Sequence, residues 1–194
     1  MSVDSFRAAI VGGLARSNQF QVDLSFPSSV VGGSIAAQVG QFMCKATSLP
    51  SSTIQKASAF YKGREVKLGG EREFEDWTVT IYNDSNFMLR NAFEKWSNSI
   101  NNNVDNSGIL RPSDYMTDMS VTQLDRNGNQ LKKYKMVGAW PVTVANIDLD
   151  MEGGNIETFV VTLAIQRWES DTSTTGSMFG INASIDTPIG SFGV

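Results

Sequence analysis

The chain has 194 residues, of which 41% are hydrophobic and 19% charged, with sixteen basic and twenty acidic side chains and a net charge of −4. This is one globular domain with room for a core, and its charge is too mild and of the wrong sign for gripping nucleic acid through phosphates. It has no histidine and a single cysteine, Cys44, which removes the commonest general base, the commonest zinc ligand and any internal disulfide.

Near the start, Phe6, Ala9, Ile10 and Leu14 follow helical spacing after Asp4, an expected N-cap, and predict a short docking helix. Broken by Gly12-Gly13, the stretch is too short for a secretory signal or a membrane span. Synthesis in the cytoplasm and no stable membrane association are expected.

From Gln19 the period changes to two, and Phe20, Val22, Leu24 and Phe26 predict a half-buried strand. The small residues of Pro27–Gly40 predict a loop, and Gln38–Thr47 a second strand that stops at Leu49-Pro50 and holds Cys44 as a buried structural thiol. Ser51–Ala57 reads as a polar connection, followed by a hairpin through Tyr61, Gly63 and Val66–Leu68 with Gly69-Gly70 at its end.

Glu73–Asn83 is the clearest strand, with Trp77, Val79 and Ile81 on one face and Asp76, Thr78, Thr80 and Tyr82 on the other. A long helix is expected over Ser85–Ile100, capped by Asp84 or Ser85, with Leu89, Phe93, Trp96 and Ile100 as a core-facing stripe. Beyond the Asn-rich stretch to Pro112, strands Met119–Asp125 and Leu131–Val137 flank Arg126-Asn127-Gly128-Asn129, a strong hairpin signal. Val142 and Val144 differ in parity from Ile147, Leu149 and Met151, so a bulge is expected near Ala145-Asn146. Gly153-Gly154 then leads into a last strand, Ile156–Trp168.

Short strands with one long helix and no β-α-β alternation predict a mainly β fold, an antiparallel β sandwich or small barrel with the helix 85–100 packed on it. The domain is expected to span 1–169. Residues 170–194 then form a flexible C-terminal extension without Lys or Arg. That extension reads either as an unstructured tail or as a peptide that docks through Phe179 and Phe192.

No catalytic constellation stands out, and neither a cofactor nor a metal is expected. Glu71, Glu73, Glu75 and Asp76 cluster, with Glu73 and Glu75 on one strand face, but lack a second group to set their pKa values apart. Asp148-Leu149-Asp150 imitates a calcium loop whose twelfth position would be Phe159, where a bidentate Glu is needed. Lys132, Lys133 and Lys135 read as a solvated surface, a charged partner being the alternative. On the last strand the face opposite the core carries Thr158, Val160, Thr162, Ala164 and Gln166. An uncharged strand face is an aggregation hazard unless a neighbouring subunit covers or extends it.

Motif order points further. Asn18–Val22, Phe42-Met43-Cys44-Lys45-Ala46-Thr47-Ser48-Leu49-Pro50, Gly70–Thr80 (with Phe-Glu-Asp-Trp-Thr-Val-Thr), Asn83-Asp84, Phe93 with Trp96, Gly138–Pro141, Ile156–Ala164 and Trp168-Glu169 lie in one collinear series over about residues 5–169. This series resembles the tail tube proteins of T-even-type contractile-tailed phages, relatives of other contractile injection tubes. The resemblance implies a structural virion protein, not an enzyme. Its subunits would form hexameric rings stacked into a tube that conducts DNA without binding it. It also implies tail sheath, baseplate, tail-terminator and tape measure proteins as partners. By analogy Leu49, Pro50, Ile54, Lys56 and Lys62 are expected at ring-to-ring contacts, with Thr158, Val160 and Thr162 at subunit contacts. Glu71, Glu73, Glu75, Asp76, Asp148 and Asp150 are candidates for an acidic lumen. The stretch 27–40 and the extension 170–194 exceed the family pattern. A related tail-end ring and a small-ligand β barrel remain the other readings.

Overall fold

Two opposed half-sheets meet in a single long strand that bends at a glycine. The computed structural model describes residues 2–10 and 14–171; Phe179 and Phe192 lie outside the described residues. Among the described residues nine strands occur: β1 (Phe20–Asp23), β2 (Cys44–Thr47), β3 (Ser52–Tyr61), β4 (Arg64–Phe74), β5 (Trp77–Tyr82), β6 (Thr117–Leu124), β7 (Gln130–Val144), β8 (Thr158–Ala164) and β9 (Arg167–Ser170). The helices are α1 (Val3–Ala9), α2 (Gly33–Met43), α3 (Met88–Ile100) and α4 (Pro112–Tyr115).

Seven strands form one antiparallel sheet in the order β1-β6-β7-β8-β5-β2, with β9 also paired to β7. The first half of β7 pairs with β6 on one side and β9 on the other, while its last residues, from Trp140 to Val144, pair with β8. The bend falls at Gly138, whose φ of +67° favours a residue without Cβ. A Cβ there would also lie 2.8 Å from Gln166 Cγ, in the break between β8 and β9. The sheet path is open, ending at β1 and β2 among the described residues, so the mainly β architecture holds while the barrel alternative does not close within one chain.

Strand parity was legible. Trp77, Val79 and Ile81 alternate with half-buried Thr78, Thr80 and Tyr82, and Phe159, Val161 and Leu163 are buried on β8. They meet Val22, Met119, Val121 and Met136 from the other half-sheet and Leu89, Phe93 and Trp96 from α3. Phe26 lies edge-on to both Phe93 and Trp96 at 4.9 and 5.6 Å between ring centroids, plugging the space between sheet and helices.

Several boundaries differ from the sequence reading. Helix α3 starts at Met88 rather than Ser85: Asp84 accepts the N–H groups of Asn86 and Met88, so its carboxylate closes a preceding turn, with Phe87 at φ +53°. Of the expected loop 27–40 only residues 27–32 are loop and turn, while 33–40 and the start of the strand 38–47 are helix α2, where Gly33, Ala36 and Gly40 form a buried small-residue side. A Cβ on Gly40 would lie 2.9 Å from Leu24 Cδ1. Glycines that read as loop are close-packing positions. In α1 the cap is Ser2, which accepts from Ser5 N–H, and Asp4 sits in the first turn.

The strand 73–83 is interrupted at Glu75-Asp76, and the strand 156–168 becomes β8 and β9. The bulge expected near 145 lies between Pro141 and Thr143, after which β7 ends at Val144. The parity change of Leu149 and Met151 belongs to an exposed loop, not to a strand. Ser170 closes β9, one residue past the expected domain limit.

Candidate functional site and assembly surfaces

The largest departure from expectation is a free-standing ribbon. Strands β3 and β4 pair only with each other in a separate two-stranded sheet, joined by Lys62-Gly63 with φ +48° and +79°. Two consecutive positive φ values are the type I′ hairpin signature, whose twist matches that of the strands. Of the expected connection Ser51–Ala57 all but Ser51 is therefore the start of a strand, and Gly69-Gly70 lies inside β4. There the register slips between Ile54 and Lys56, and a Cβ on Gly70 would sit 2.9 Å from the Gln55 carbonyl oxygen. Gly70 permits a bulge that a larger residue would obstruct.

At ~3.3 Å per residue the ten-residue β3 gives an arm of ~30 Å. Nearly all its residues are exposed, Phe60 at 76% and Tyr61 at 69%. Cross-strand register places Ala57, Ala59, Tyr61, Val66 and Leu68 on one face, apolar but for Arg64 opposite Tyr61, and Lys56, Ser58, Phe60, Glu65 and Lys67 on the other. The base is held by polar and ring contacts. The Trp77 indole N–H donates to the Ser48 carbonyl at 2.9 Å and that of Trp168 to the Ser51 carbonyl at 3.0 Å. The Phe74 and Trp168 rings meet at 6.4 Å.

The sequence-derived residues distribute along this arm. Leu49 is exposed and Pro50 buried at the root, Ile54 and Lys56 lie on β3, and Lys62 is at the tip. The acidic candidates do not form one cluster. Glu71 is beside the bulge, Glu73 accepts from Gln55 Nε2 at 2.6 Å, and Glu75 accepts from the Ser51 hydroxyl. Asp76 sits just before β5, whereas Asp148 and Asp150 lie in the loop 145–157 at the other end of that strand. Asp148 accepts from Asn146 and Asp150 from the Glu152 N–H.

The two half-sheets present unlike outer faces. On one, Thr78 pairs with Thr162 and Thr162 with Thr143, beside Thr80–Val160 and Tyr82–Thr158. This face is small and uncharged apart from Lys45, whose ammonium lies 5.7 Å from the Tyr82 ring centre. Neither acidic group stands on these strands. The other face is laced with ion pairs: Lys135–Asp118 at 2.7 Å, Arg167–Glu169 at 2.9 Å and Lys133–Asp23 at 3.8 Å, with Ser120 donating to Asp23. The basic patch is thus largely neutralised within the chain. The Lys135 ammonium, by hydrogen bonding, and the Gly138 N–H hold the Asp118 carboxyl below its ordinary value of 3.8, against partial desolvation.

Sheet edges matter for a polymer. Strand β2 is unpaired on its outer side, and β6 accompanies β7 only to Ala139, leaving the far side of Trp140–Val144 without a strand partner among the described residues. The uncharged half-sheet therefore has four strands, β2-β5-β8-β7, and two open edges. Sequence reasoning missed the second edge, since nothing local marks where one side of a strand loses its partner. The ribbon had a signal in the turn-forming pair Lys62-Gly63.

The remaining chemistry is structural. Cys44 is half-buried against the core and its thiol is pushed up to about 12 by burial, which makes it a poor nucleophile. Among the described residues no group of three or more metal-ligating side chains occurs, and no helix is long and apolar enough to cross a membrane.

Similarity to known proteins agrees with this picture. Residues 15–171 match the family described as phage tail tube protein. The tail tube protein gp19 of Enterobacteria phage T4 is 33% identical over 168 residues, which cover 86% of this chain and 98% of that one. The tail tube protein of Serratia phage KSP90 is 30% identical over 152 residues, covering 77% and 85%. Among solved structures, the sheath/tube terminator of an extracellular contractile injection system superposes with a TM-score of 0.61 at 15% identity, covering 82% of this chain and 98% of that one. The baseplate of the anti-feeding prophage gives 0.57 at 15%, covering 81% and 95%. At such identity these structures speak for the fold alone. With most of its length matched to one family, and to relatives at 30% and 33% identity, the chain belongs to the phage tail tube proteins and is a structural component of the virion.

Proposed function

We propose that six copies of this subunit close into a ring by pairing β2 of one copy with the free side of Trp140–Val144 of the next. Rings then stack into the tube. The observation that carries this reading is the uncharged half-sheet with two open edges. Open edges invite pairing, and a contact that closes by rotation forms a ring. In such a ring the Thr-rich outer face of β5 and β8, with Thr158, Val160 and Thr162, lines the lumen. A wall of small neutral side chains offers phosphates almost no cation, so DNA and a tape measure protein slide past without binding. Its role is passage and not catalysis.

The ion-paired half-sheet and α3 are left to the outside, where a sheath protein would pack, while tube ends meet baseplate and terminator proteins. The ribbon, with Leu49 at its root and Ile54, Lys56 and Lys62 along it, supplies contact between successive rings. A small-ligand reading would need an enclosed apolar cavity with convergent polar groups, whereas the depression at the loop 145–157 is open to solvent.

Electron microscopy of the purified chain at rising concentration tests the proposal. Six-fold rings or hollow tubes are expected. The substitution of Val144 by Pro, whose N–H alternates with the Ala145 N–H bonded to Val160 on β8 and so faces the free edge, should abolish rings while leaving the fold intact by circular dichroism. Rings from that variant would show that this edge is not the ring contact.

A further inference from the structure

We infer that the ribbon of one subunit seats on the 145–157 loop of a second copy in the adjacent ring, through matched charge around apolar contacts; this rests on the tube reading above. Three observations converge on it.

The first is position. Strand β2 feeds the ribbon from the Trp77 end of β5, with Thr47 opposite Val79 and Ser48 bonded to the Trp77 indole. Loop 145–157 joins β7 to β8 at the other end, where Tyr82 pairs with Thr158 and Asn83 donates to the Glu157 carboxylate at 2.8 Å. The two features are separated by the length of β5, ~17 Å at about 3.3 Å per residue. Stacking subunits along the strands brings the ribbon of one toward the loop of the next, a head-to-tail contact that propagates.

The second is charge. From Lys56 to Lys67 the ribbon carries Lys56, Lys62, Arg64 and Lys67 against Glu65 alone, and Glu65 is occupied by the Ser58 hydroxyl at 2.6 Å. None of these four cations has an ion-pair partner among the described residues. The loop carries Asp148, Asp150, Glu152 and Glu157, with no Lys or Arg between Lys135 and Arg167. Asp148 and Asp150 accept hydrogen bonds from within the loop, and Glu157 accepts from Asn83 at the end of β5. Each side is unbalanced, with opposite sign. Complementary patches of this kind set register and partner choice more than raw affinity.

The third is apolar surface. The ribbon exposes Phe60 on the face that carries Lys56 and Lys67 and Tyr61, Val66 and Leu68 on the other, beside Arg64, and the loop exposes Leu149 at 80%, Met151 and Ile156. These loop residues line a concave surface together with Asp148, Asp150 and Glu157. Exposed apolar residues rimmed by charge on both members are what a protein–protein contact needs.

A reciprocal charge exchange tests the pairing. Lys56→Glu with Lys67→Glu on the ribbon, or Asp148→Lys with Asp150→Lys on the loop, should each reduce tubes to single rings in electron micrographs. All four replacements together should restore tubes. Every position is exposed, so folding is preserved, which circular dichroism verifies. Raising salt from about 0.05 to 0.5 M should shorten wild-type tubes, because exposed pairs are screened as the Debye length falls. If both pair variants stop at rings and the four-fold variant does not recover, the ribbon still stacks rings but onto another surface, and the inference falls alone. Normal tubes from either pair variant overturn the contact outright. A wild-type chain that makes no rings at any concentration, even on a baseplate seed, overturns the tube reading and this contact with it.

Discussion

Trp96 shows how much a single side chain carries in this chain. It is fully buried on α3, stacks 6.2 Å from Phe93, and its indole N–H donates to the Tyr115 carbonyl at 2.8 Å. That bond ties α3 to α4, so truncation removes ring packing and leaves a part-buried carbonyl without its donor. Trp96→Ala should destabilise the subunit by ~3–5 kcal/mol, read by urea unfolding. Its stripe with Leu89 and Phe93 was plain from spacing, but buried Ala92 was not, because a methyl group contributes little to periodicity. Asp118 gives a smaller, pH-dependent prediction. Its native carboxyl is held below the ordinary value by Lys135 and the Gly138 N–H. The stability it lends is present above the ordinary Asp range and disappears as pH falls through the lowered value. Because the side chain is about half exposed, the gain at neutral pH should be under ~1 kcal/mol. Asp118→Asn should lower the urea midpoint slightly at pH 7 and converge with the parent chain in strong acid; a constant difference across pH would refute the linkage.

Elements carry the next lesson through the ribbon. Both faces of β3 and β4 are open to solvent, and the rest of the subunit touches them chiefly at the root. Excising residues 54–72 and joining Thr53 to Glu73, which already face each other, should leave cooperative thermal unfolding in place. Rings should form and tubes should not. Loss of the folded state would instead make the ribbon part of the core. Strands with one buried side were legible, as Trp77–Tyr82 and Thr158–Ala164 demonstrate, since burial writes a period of two into the sequence. The ribbon lacks a buried side in the monomer, so no such period constrains it, and its polar opening read as a connection. Helix α2 was hidden for the opposite reason: tight packing against Leu24 and Phe26 selected Gly33, Ala36 and Gly40, residues that otherwise mark loops.

At the scale of the whole molecule, the shared family length ends where the described fold ends, at residue 171. Removing 172–194 should therefore leave ring formation unchanged in electron micrographs; loss of rings would make the extension a structural strap. Mainly β architecture and tube membership were readable from residue order. The open path of the sheet was not, because closure is a property of the assembly and not of one chain. The root of the ribbon has a mechanical side as well. Trp168, on β9, grips the first residue before β3 and the last residue of β4 at once. Strand β9 continues the line of β8 across a short break. A push along the tube that enters one subunit through the arm of its neighbour is thus handed, at one tryptophan, to strands lying in the wall. Axial thrust becomes shear spread over the hydrogen bonds of a sheet, a loading geometry in which many bonds must yield together, and the tube can act as a stiff rod rather than a stack of loose washers.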